Sequence, residues 1–556
     1  MGRACLILVV LGFLTITSAC GEVDDPPSDD GAGGSGGAGG SDGGGGTGGD
    51  ATPGEIGPIE WATCEGGSPN LRCAEISVPL DWTDAASERI GVFVRRWKTD
   101  AATRRGQLWL LQGGPGFGAE GLMGYAPFFA AEGFDVYLPD YRGVGRSTPL
   151  ACVGEESSYD VSTECMADLI DRWGDGIRFF SSADAATDVG KAIEALKSDE
   201  DVFVIGTSYG TFVANKLLSL FPDLLSGAVL DSICSAKGCS IFTERNLNRS
   251  AERVFDLCGA DPACSARLST DPWGKLSGLM RRLVGGHCSA FAGEYTPHYF
   301  SRILGSTADV RTLVPVALAA AYRMDRCAPE DVVALQHFLA QATASTGFSP
   351  ATQASYSAFT YFNLFINEFW EEGMQASDFL DEVHRLPIQT GSAQRLVREL
   401  GRWKALPTWT VPEPLRRWAD VETPLLLLNG DLDARTPIWD LEGIDEAFSR
   451  PHQNWVEVPF GGHGIIMEGR APGRLGTCGY RMITTFLAKP TGAPDTACLA
   501  GMETLDLEGD SLSAETIFGT SDLWENGVSK IRPPRDPDPA FDLAWERLRE
   551  GFARPW

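Results

Sequence analysis

The chain has 556 residues, 43% of them hydrophobic, and its 75 acidic side chains against 46 basic ones give a formal net charge of −29. This length is enough for a catalytic domain with a large insertion, and the apolar fraction allows most of the chain to fold. Because a strongly acidic chain repels phosphate backbones, nucleic acids are excluded as expected partners.

The first twenty residues have the features of an export signal. Arg3 precedes a short apolar run at residues 6–16, and small residues lead to Cys20. A basic start, an apolar core and small residues before a cleavage point are typical of secretory signals, and the run is too short to span a membrane. The end of this segment resembles a bacterial lipobox, although Thr17 stands where leucine is usual. We therefore expect residues 1–20 to direct export and Cys20 to carry a lipid anchor, with plain secretion as the alternative.

Residues 21–55 follow as a Gly-rich segment that also contains Ser and Asp. A segment with almost nothing to bury is expected to be disordered. It suits a tether between an anchor and a globular body.

The chain has 14 cysteines, and twelve remain when Cys5 and Cys20 are set aside. An even number in an exported chain predicts disulfides, although sequence alone does not fix their connectivity. The simplest hypothesis pairs sequence neighbours: Cys64/Cys73, Cys152/Cys165, Cys234/Cys239, Cys258/Cys264, Cys288/Cys327 and Cys478/Cys498. No cysteine or histidine spacing is that of a zinc site, so no structural metal is expected.

Strand-like and helix-like segments alternate from residue 56 onwards. Apolar runs predict strands at residues 75–80, 90–98, 107–112, 134–138, 201–205, 227–230, 424–428 and 455–458, and helical spacing predicts helices at 184–196 and 211–221. The first two strands are expected to be antiparallel. The later alternation of strands and helices predicts a doubly wound, mostly parallel α/β sheet.

One long segment interrupts this alternation. Residues 233–418 are helical in character and rich in Cys and aromatic residues, without further strand–Gly–helix units. We therefore predict an α/β core in two parts, residues 56–232 and 419–490, with a large helical cap inserted between them. Residues 491–556 form a C-terminal extension without an assigned role.

Residues 206–210 match the pattern G-x-S-x-G around Ser208. The pattern alone is weak, but here it follows a β-branched strand and opens a helix, as a nucleophile elbow requires. The two glycines would avoid collisions at the sharp turn, and the helix N-terminus would favour developing negative charge. Ser208 is therefore the candidate nucleophile, with a purely structural turn as the alternative.

A serine hydroxyl is a weak nucleophile unless a base takes its proton. Among the six histidines, His463 lies in Gly-Gly-His-Gly just after a predicted strand, where a base can reach the elbow. The base needs an orienting carboxylate. Asp433 is the first choice and Asp431 the second, both on the loop after strand 424–428. Asp231 is the third, with the capping of a turn as its alternative role.

Acyl transfer also needs donors for the oxyanion. The backbone N–H of Tyr209 is one candidate. Glycines allow close approach of the backbone to a substrate, so the Gly-rich loop at residues 113–116 is expected to provide the other. Gly114 is the candidate and Gly113 the alternative.

Five segments together resemble the proline iminopeptidase and tripeptidyl aminopeptidase family of α/β hydrolases. They are GGPG (113–116), DYRGVGRS (140–147), GTSYGTFVA (206–214), DLDARTP (431–437) and GGHG (461–464), in that family's order. The resemblance covers the two catalytic parts. It implies the α/β-hydrolase fold, a triad of Ser208, Asp433 and His463, and a mainly structural turn at DYRGVGRS. It also implies that the cap covers the cleft and sets specificity.

Members of this family remove residues from the free N-terminus of a peptide and hold its ammonium group with cap carboxylates. Residues 365–370 (FINEFW) resemble the cap motif that carries such a glutamate, so Glu368 is the candidate amine anchor. It lies beside an apolar helix face made by Phe359, Phe362 and neighbouring residues. Desolvation there would strengthen a carboxylate–ammonium pair. The alternative is an ordinary amphipathic helix with Glu368 in solvent.

These observations predict an exported serine aminopeptidase that acts on peptides through an acyl-enzyme and needs no cofactor or metal. The released unit would be a single proline or a tripeptide. Fold and triad do not exclude an esterase or other small-molecule hydrolase with the same residues. A non-catalytic lipoprotein that binds peptides is a further alternative.

Overall fold

The computed structural model describes residues 55–525, apart from residues 66, 153–160, 344–354, 372, 404–405, 468–476 and 503. The predicted export signal with Cys20, almost all of the predicted tether and the last part of the C-terminal extension lie outside the described residues. Within the described part, no helix has both the length and the hydropathy that crossing a membrane requires.

The described strands form one nine-stranded sheet in the order β1-β2-β3-β5-β4-β6-β7-β8-β9. The pairs among β1, β2, β3 and β5 are antiparallel, and the pairs from β5 through β4 and β6 to β9 are parallel. The strand bounds are β1 Ala62–Thr63, β2 Leu71–Pro79, β3 Arg89–Trp97, β4 Gly106–Leu111, β5 Phe134–Pro139, β6 Asp201–Thr207, β7 Gly227–Asp231, β8 Leu425–Gly430 and β9 Gln453–Val458.

Helices lie between and beyond these strands. Their bounds are α1 Ala126–Ala131, α2 Thr163–Trp173, α3 Ser182–Leu196, α4 Tyr209–Leu220, α5 Thr243–Ala260, α6 Pro262–Leu268, α7 Pro272–Val284, α8 Thr296–Thr307, α9 Val314–Arg326, α10 Pro329–Thr343, α11 Ala358–Leu364, α12 Ala376–Val383, α13 Ser392–Arg402, α14 Ile444–Ala447, α15 Cys478–Ala488 and α16 Ser511–Ser513.

The doubly wound, mostly parallel sheet agrees with the prediction, and each predicted strand and helix is present with its ends shifted by a few residues. Successive side chains of a buried strand point to opposite faces. In β4, Trp109 and Leu111 join the cluster that packs on α3 and α4, whereas Leu108 and Leu110 join the cluster that packs on α1 and α15. Helices on both faces therefore explain why the central strands are apolar throughout.

The insertion between β7 and β8 has two differently packed parts. Side chains of α5 to α10 form a cluster of their own, among them Phe255, Leu279, Phe300, Leu318 and Phe338. Helices α11 to α13 instead join the cluster on one face of the sheet, among them Phe359, Phe362, Phe379 and Leu396. The second part of the insertion therefore shares one hydrophobic cluster with α3 and α4.

The C-terminal residues have a packing role that was not predicted. Ala514, Ile517, Phe518, Leu523 and Trp524 belong to the buried cluster of α5 to α10. The described end of the chain therefore completes the core of the insertion.

The disulfide hypothesis is confirmed at every predicted pair. The bonded pairs are Cys64–Cys73, Cys152–Cys165, Cys234–Cys239, Cys258–Cys264, Cys288–Cys327 and Cys478–Cys498.

Candidate active site

Ser208 occupies a sharp turn between β6 and α4, with φ 57° and ψ −126°. A non-glycine residue at positive φ is strained and marks a position that its surroundings enforce. A Cβ on Gly206 would lie 2.4 Å from the carbonyl oxygen of Gly210, and a Cβ on Gly210 would lie 2.2 Å from that of Leu111. Only glycine fits at either position, so the G-x-S-x-G spacing is a steric requirement of this turn.

Two backbone segments meet beside the Ser208 side chain. The N–H of Tyr209 is the first in α4, where no intrahelical carbonyl can reach it. A Cβ on Gly113 would lie 3.0 Å from Ser208 Cβ and 3.6 Å from its Oγ, so the Gly-rich loop runs directly against the serine. Gly114 follows at φ +129°. The structure brings both predicted donor segments to the elbow, with Gly113 in direct contact.

His463 lies on the loop after β9 and contacts the carboxylate of Asp433. Its Nδ1 is 2.9 Å from Asp433 Oδ2 and 3.1 Å from Oδ1. The Asp433 carboxylate is buried and also accepts hydrogen bonds from the Thr436 hydroxyl at 2.7 Å and the Thr436 backbone N–H at 3.0 Å. Since these contacts engage Nδ1, the other ring nitrogen, Nε2, remains for a proton donor such as a serine.

The electrostatics favour a charged Asp433. Burial by itself would raise the pKa of Asp433, but the His463 imidazole and the hydrogen bonds from Thr436 outweigh burial and hold the pKa well below its usual range. The carboxylate therefore stays ionised and can stabilise an imidazolium.

The other two carboxylate candidates make different contacts. Asp431 accepts the N–H of Phe460 at 2.7 Å and pairs with Arg253 at 2.6 Å. Asp231 is fully buried and accepts the N–H groups of Ile465 and Ile466. Both bind backbone around the histidine loop, whereas Asp433 contacts the imidazole.

Glu368 is buried, contrary to the alternative that placed it in solvent. It lies in a single π-helical turn, Phe365–Phe369, and its Oε1 accepts the N–H of Ser182 at 2.8 Å. Its Oε2 is buried and has no hydrogen-bond partner among the described residues. The Ser182 hydroxyl in turn lies 2.9 Å from the hydroxyl of Tyr209, the residue after the nucleophile. Glu368 is therefore linked to the elbow through α3.

Two residues near the triad were missed by the sequence analysis. Thr436 bonds the Asp433 carboxylate, and the Asp-x-x-Thr spacing of a side-chain-capped turn was available as its signal. Asp309 is buried, and its Oδ2 lies 3.6 Å from Arg435 Nε. Within the residues that the structure describes, its Oδ1 has no hydrogen-bond partner. Burial raises the pKa of Asp309, which faces the charges of Arg435, Asp433 and His463. No sequence signal connects a residue of the insertion to this loop.

The segment DYRGVGRS makes structural contacts only, among the contacts described for it. Asp140 accepts from the Arg95 guanidinium at 2.8 Å and from the N–H of Ala119 at 2.7 Å. Arg142 is fully buried and pairs with Asp188 at 2.6 Å. These pairs fix the turn that borders the site.

Comparison with known proteins extends this description. The family described as the alpha/beta hydrolase fold matches residues 108–253. The chain is similar to the tripeptidyl aminopeptidase of Streptomyces coelicolor, with 24% identity over 491 residues that cover 79% of this chain and 86% of that protein. It is 25% identical over 248 residues to the serine protease Hip1 of Mycobacterium tuberculosis, covering 39% of this chain and 47% of that protein.

Two more comparisons are shorter or more distant. The YuaR protein of Escherichia coli is 29% identical over 209 residues, and the match spans 32% of this chain and 41% of that protein. A crystal structure of a proline iminopeptidase-related protein from Thermus thermophilus is 16% identical, with a TM-score of 0.27 over 73% of this chain and 91% of that one. The chain therefore has the α/β-hydrolase fold and, over most of its length, resembles the tripeptidyl aminopeptidases, the family that its motifs indicated.

Proposed function

We propose that this protein is an exported serine aminopeptidase that releases residues from the free N-terminus of peptides. Ser208 Oγ attacks the scissile carbonyl while His463 Nε2 takes its proton, and the tetrahedral oxyanion accepts N–H groups of Tyr209 and of Gly114 or Gly113. His463 then returns the proton to the leaving amine. Water hydrolyses the acyl-enzyme and regenerates the serine.

One observation carries this proposal: the His463 imidazole is hydrogen-bonded through Nδ1 to the buried Asp433, while Asp231 accepts both the N–H of Ser208 and an N–H of the loop that carries His463. This arrangement leaves a base free to activate the serine. The peptidase class is supported by the similarity to a tripeptidyl aminopeptidase over 79% of the chain.

Export is supported by the disulfides in the core and in the insertion, since such bonds persist in oxidising compartments. In this proposal Cys20 carries a lipid anchor and the residues before it are removed, with plain secretion as the alternative.

Glu368 is the candidate for the substrate ammonium. Its support is the buried Oε2, which has no hydrogen-bond partner in the described part of the chain, because a buried carboxylate oxygen is a strong acceptor for a desolvated amine. The hydrogen bond from Ser182 to Oε1 is compatible with this role, since it leaves Oε2 available.

Matched chromogenic substrates test the proposed activity. The set contains prolyl, other aminoacyl and tripeptidyl amides with free N-termini, their N-acetylated forms, and a simple acyl ester. We expect cleavage of free-amine amides and little cleavage of acetylated ones, and the substrate that is cleaved gives the number of residues released. Turnover of the ester alone would show the peptidase assignment to be wrong and favour an esterase.

The same substrates test the amine anchor in the variant Glu368→Gln. Glutamine keeps an oxygen for the Ser182 N–H but removes the charge, so free-amine turnover should fall on the order of tenfold more than turnover of acetylated substrates. Glu382→Gln, a change at a partly exposed carboxylate on α12, is the matched control. Equal losses on both substrate classes would end the anchor hypothesis.

A further inference from the structure

The dipeptide at the end of β7 lies between the segments that bear the candidate triad. β7 pairs with β6, which leads to Ser208, and with β8, which leads to the Asp433 loop. Asp231 ends β7, and Ser232 follows at φ 58°. Both side chains are fully buried. A non-glycine residue at positive φ in a buried turn again indicates a conformation that the surroundings enforce.

The backbone of this dipeptide forms hydrogen bonds with Ser208 and with β8, the strand that leads to Asp433. The N–H of Ser208 donates to the carbonyl of Asp231 at 2.9 Å, and the N–H of Ser232 donates to the carbonyl of Leu428 at 2.9 Å. The position of the elbow is thereby tied to the dipeptide by a hydrogen bond at the serine itself.

The side chains of the same dipeptide bind the histidine loop. The N–H of Gly464 donates to Ser232 Oγ at 2.7 Å, that of Ile465 to Asp231 Oδ1 at 2.7 Å, and that of Ile466 to Asp231 Oδ2 at 3.0 Å. Three consecutive N–H groups directly after His463 are therefore held by two adjacent side chains. Two of these bonds go to a carboxylate, which makes them stronger than bonds between neutral groups.

We propose that Asp231 and Ser232 are positioning residues that fix His463 relative to Ser208, and that the Asp231 carboxylate also stabilises the imidazolium formed during the reaction. Asp231 does not replace Asp433, which occupies the imidazole Nδ1. Its carboxylate binds the backbone behind the histidine and places a second buried anion near the ring. The inference rests on the proposed function, since it assigns these residues to the same site.

The charge state of Asp231 is consistent with this role at neutral pH. Burial raises the pKa of Asp231 to about 6, and the hydrogen bonds from Ile466 and Ile465 and the nearby His463 oppose that rise. The titratable groups that face it are His463 and Asp433. At neutral pH the group is mostly ionised and accepts both N–H groups, whereas protonation would remove one acceptor.

The variant Asp231→Asn tests the proposal. Asparagine keeps one oxygen acceptor, sets an NH2 group against the second N–H and removes the charge. We expect kcat to fall on the order of 10- to 100-fold with KM little changed, by the same factor on a peptide amide and on an acyl ester, because the histidine is displaced for both. We also expect the acid limb of the pH–rate profile to move to lower pH, because the imidazolium loses a buried anion.

A second variant separates the effect of Asp231 and Ser232 on the position of His463 from the effect of the Asp231 charge. Ser232→Ala removes the acceptor of the Gly464 N–H without changing charge, so kcat should fall and the acid limb should stay in place. Asp201→Asn is the matched control, because Asp201 is exposed at the opposite end of β6 and accepts only from Ser226 Oγ among its described side-chain contacts. The variant Asp201→Asn should leave both kcat and the pH–rate profile unchanged.

The outcomes are distinguishable from failure of the proposed function. If the wild type cleaves only the ester, the aminopeptidase assignment is wrong and the comparison of variants proceeds on the ester. If it cleaves neither, the rate at which a fluorophosphonate phosphonylates Ser208, with loss of fluoride, replaces turnover. If Asp231→Asn does not fold, as judged by its thermal transition, Ser232→Ala decides. Wild-type rates in the folded variants, or a fall in kcat after Asp231→Asn without movement of the acid limb, would overturn the proposal.

Discussion

Arg142 is a fully enclosed charge near the candidate site. Its side chain is fully buried, its guanidinium pairs with Asp188 at 2.6 Å, and it donates to the carbonyls of Leu80 and Phe179, each at 2.7 Å. The indole N–H of Trp82 adds a further bond to Asp188 at 3.0 Å. This network joins β2, α3 and the turn after β5, so Arg142 stabilises the frame of the site rather than the reaction.

Replacement of Arg142 by alanine should therefore lower the free energy of unfolding by about 3–5 kcal/mol, because Asp188 would remain buried without its partner. Arg417→Ala is the matched control, since Arg417 forms an exposed ion pair with Glu413 that is worth less than about 1 kcal/mol. Urea unfolding of both variants measures the difference. Similar losses in the two variants would contradict the structural role of Arg142.

The sequence identifies candidates for the triad and favours Asp433 over Asp431, but the spacing of these two residues gives no physical reason for that order. Asp431 and Asp433 follow the same strand two residues apart, and only the conformation of the loop decides which one faces His463. Glu368 was predicted beside an apolar face, but its partner Ser182 lies 186 residues away in sequence. A contact of that range has no local pattern, so its burial could not be predicted.

At the scale of elements, the C-terminal segment is the clearest addition to the predicted fold. Trp524 is buried and its indole N–H donates to the carbonyl of Glu508 at 2.9 Å. The Arg323 side chain of α9 donates to the carbonyls of Leu523 at 2.6 Å and Glu525 at 3.2 Å. Arg323 and Leu523 are 200 residues apart in sequence, which explains why a segment rich in Pro and Asp gave no indication of this role.

Trp524→Ala should lower the free energy of unfolding by about 3–5 kcal/mol, because it leaves a cavity in the core of the insertion. Val333→Ala on α10 is the control, because Val333 is exposed and should change stability by less than about 0.5 kcal/mol. Limited proteolysis of the native state should cut the Trp524 variant first within α5 to α10. A cleavage pattern and stability equal to those of the control would contradict the docking of this segment.

The strands and helices of the core were predictable because their sequence patterns are local. The central strands β4, β5, β7 and β8 are short, buried runs of mostly apolar residues. The boundary at Ser208 was placed less well, since α4 begins at Tyr209 rather than two residues later. The strained turn makes this difference, because it starts the helix directly after the serine.

At the scale of the whole molecule, the insertion forms hydrogen bonds with the loop that carries Asp433. Ser250 Oγ on α5 donates to the carbonyl of Leu432 at 2.5 Å, and the Arg253 guanidinium donates to the carbonyl of Asp431 at 3.0 Å. Helix α5 of the insertion therefore holds this loop in place through hydrogen bonds to its backbone carbonyls. The sequence indicated a helical insertion, but not that its first long helix binds the loop that carries Asp433 while its last helices share the hydrophobic cluster of α3 and α4.

The central claim is that Ser208 is a nucleophile activated by His463. Its most direct test is covalent labelling with a fluorophosphonate, followed by peptide mass spectrometry of the wild type, Ser208→Ala and His463→Ala. We expect a single adduct on Ser208 in the wild type, no adduct in Ser208→Ala, and labelling slower by at least about 100-fold in His463→Ala, because the base is lost. An adduct on a different residue, or equal labelling rates with and without His463, would contradict the account.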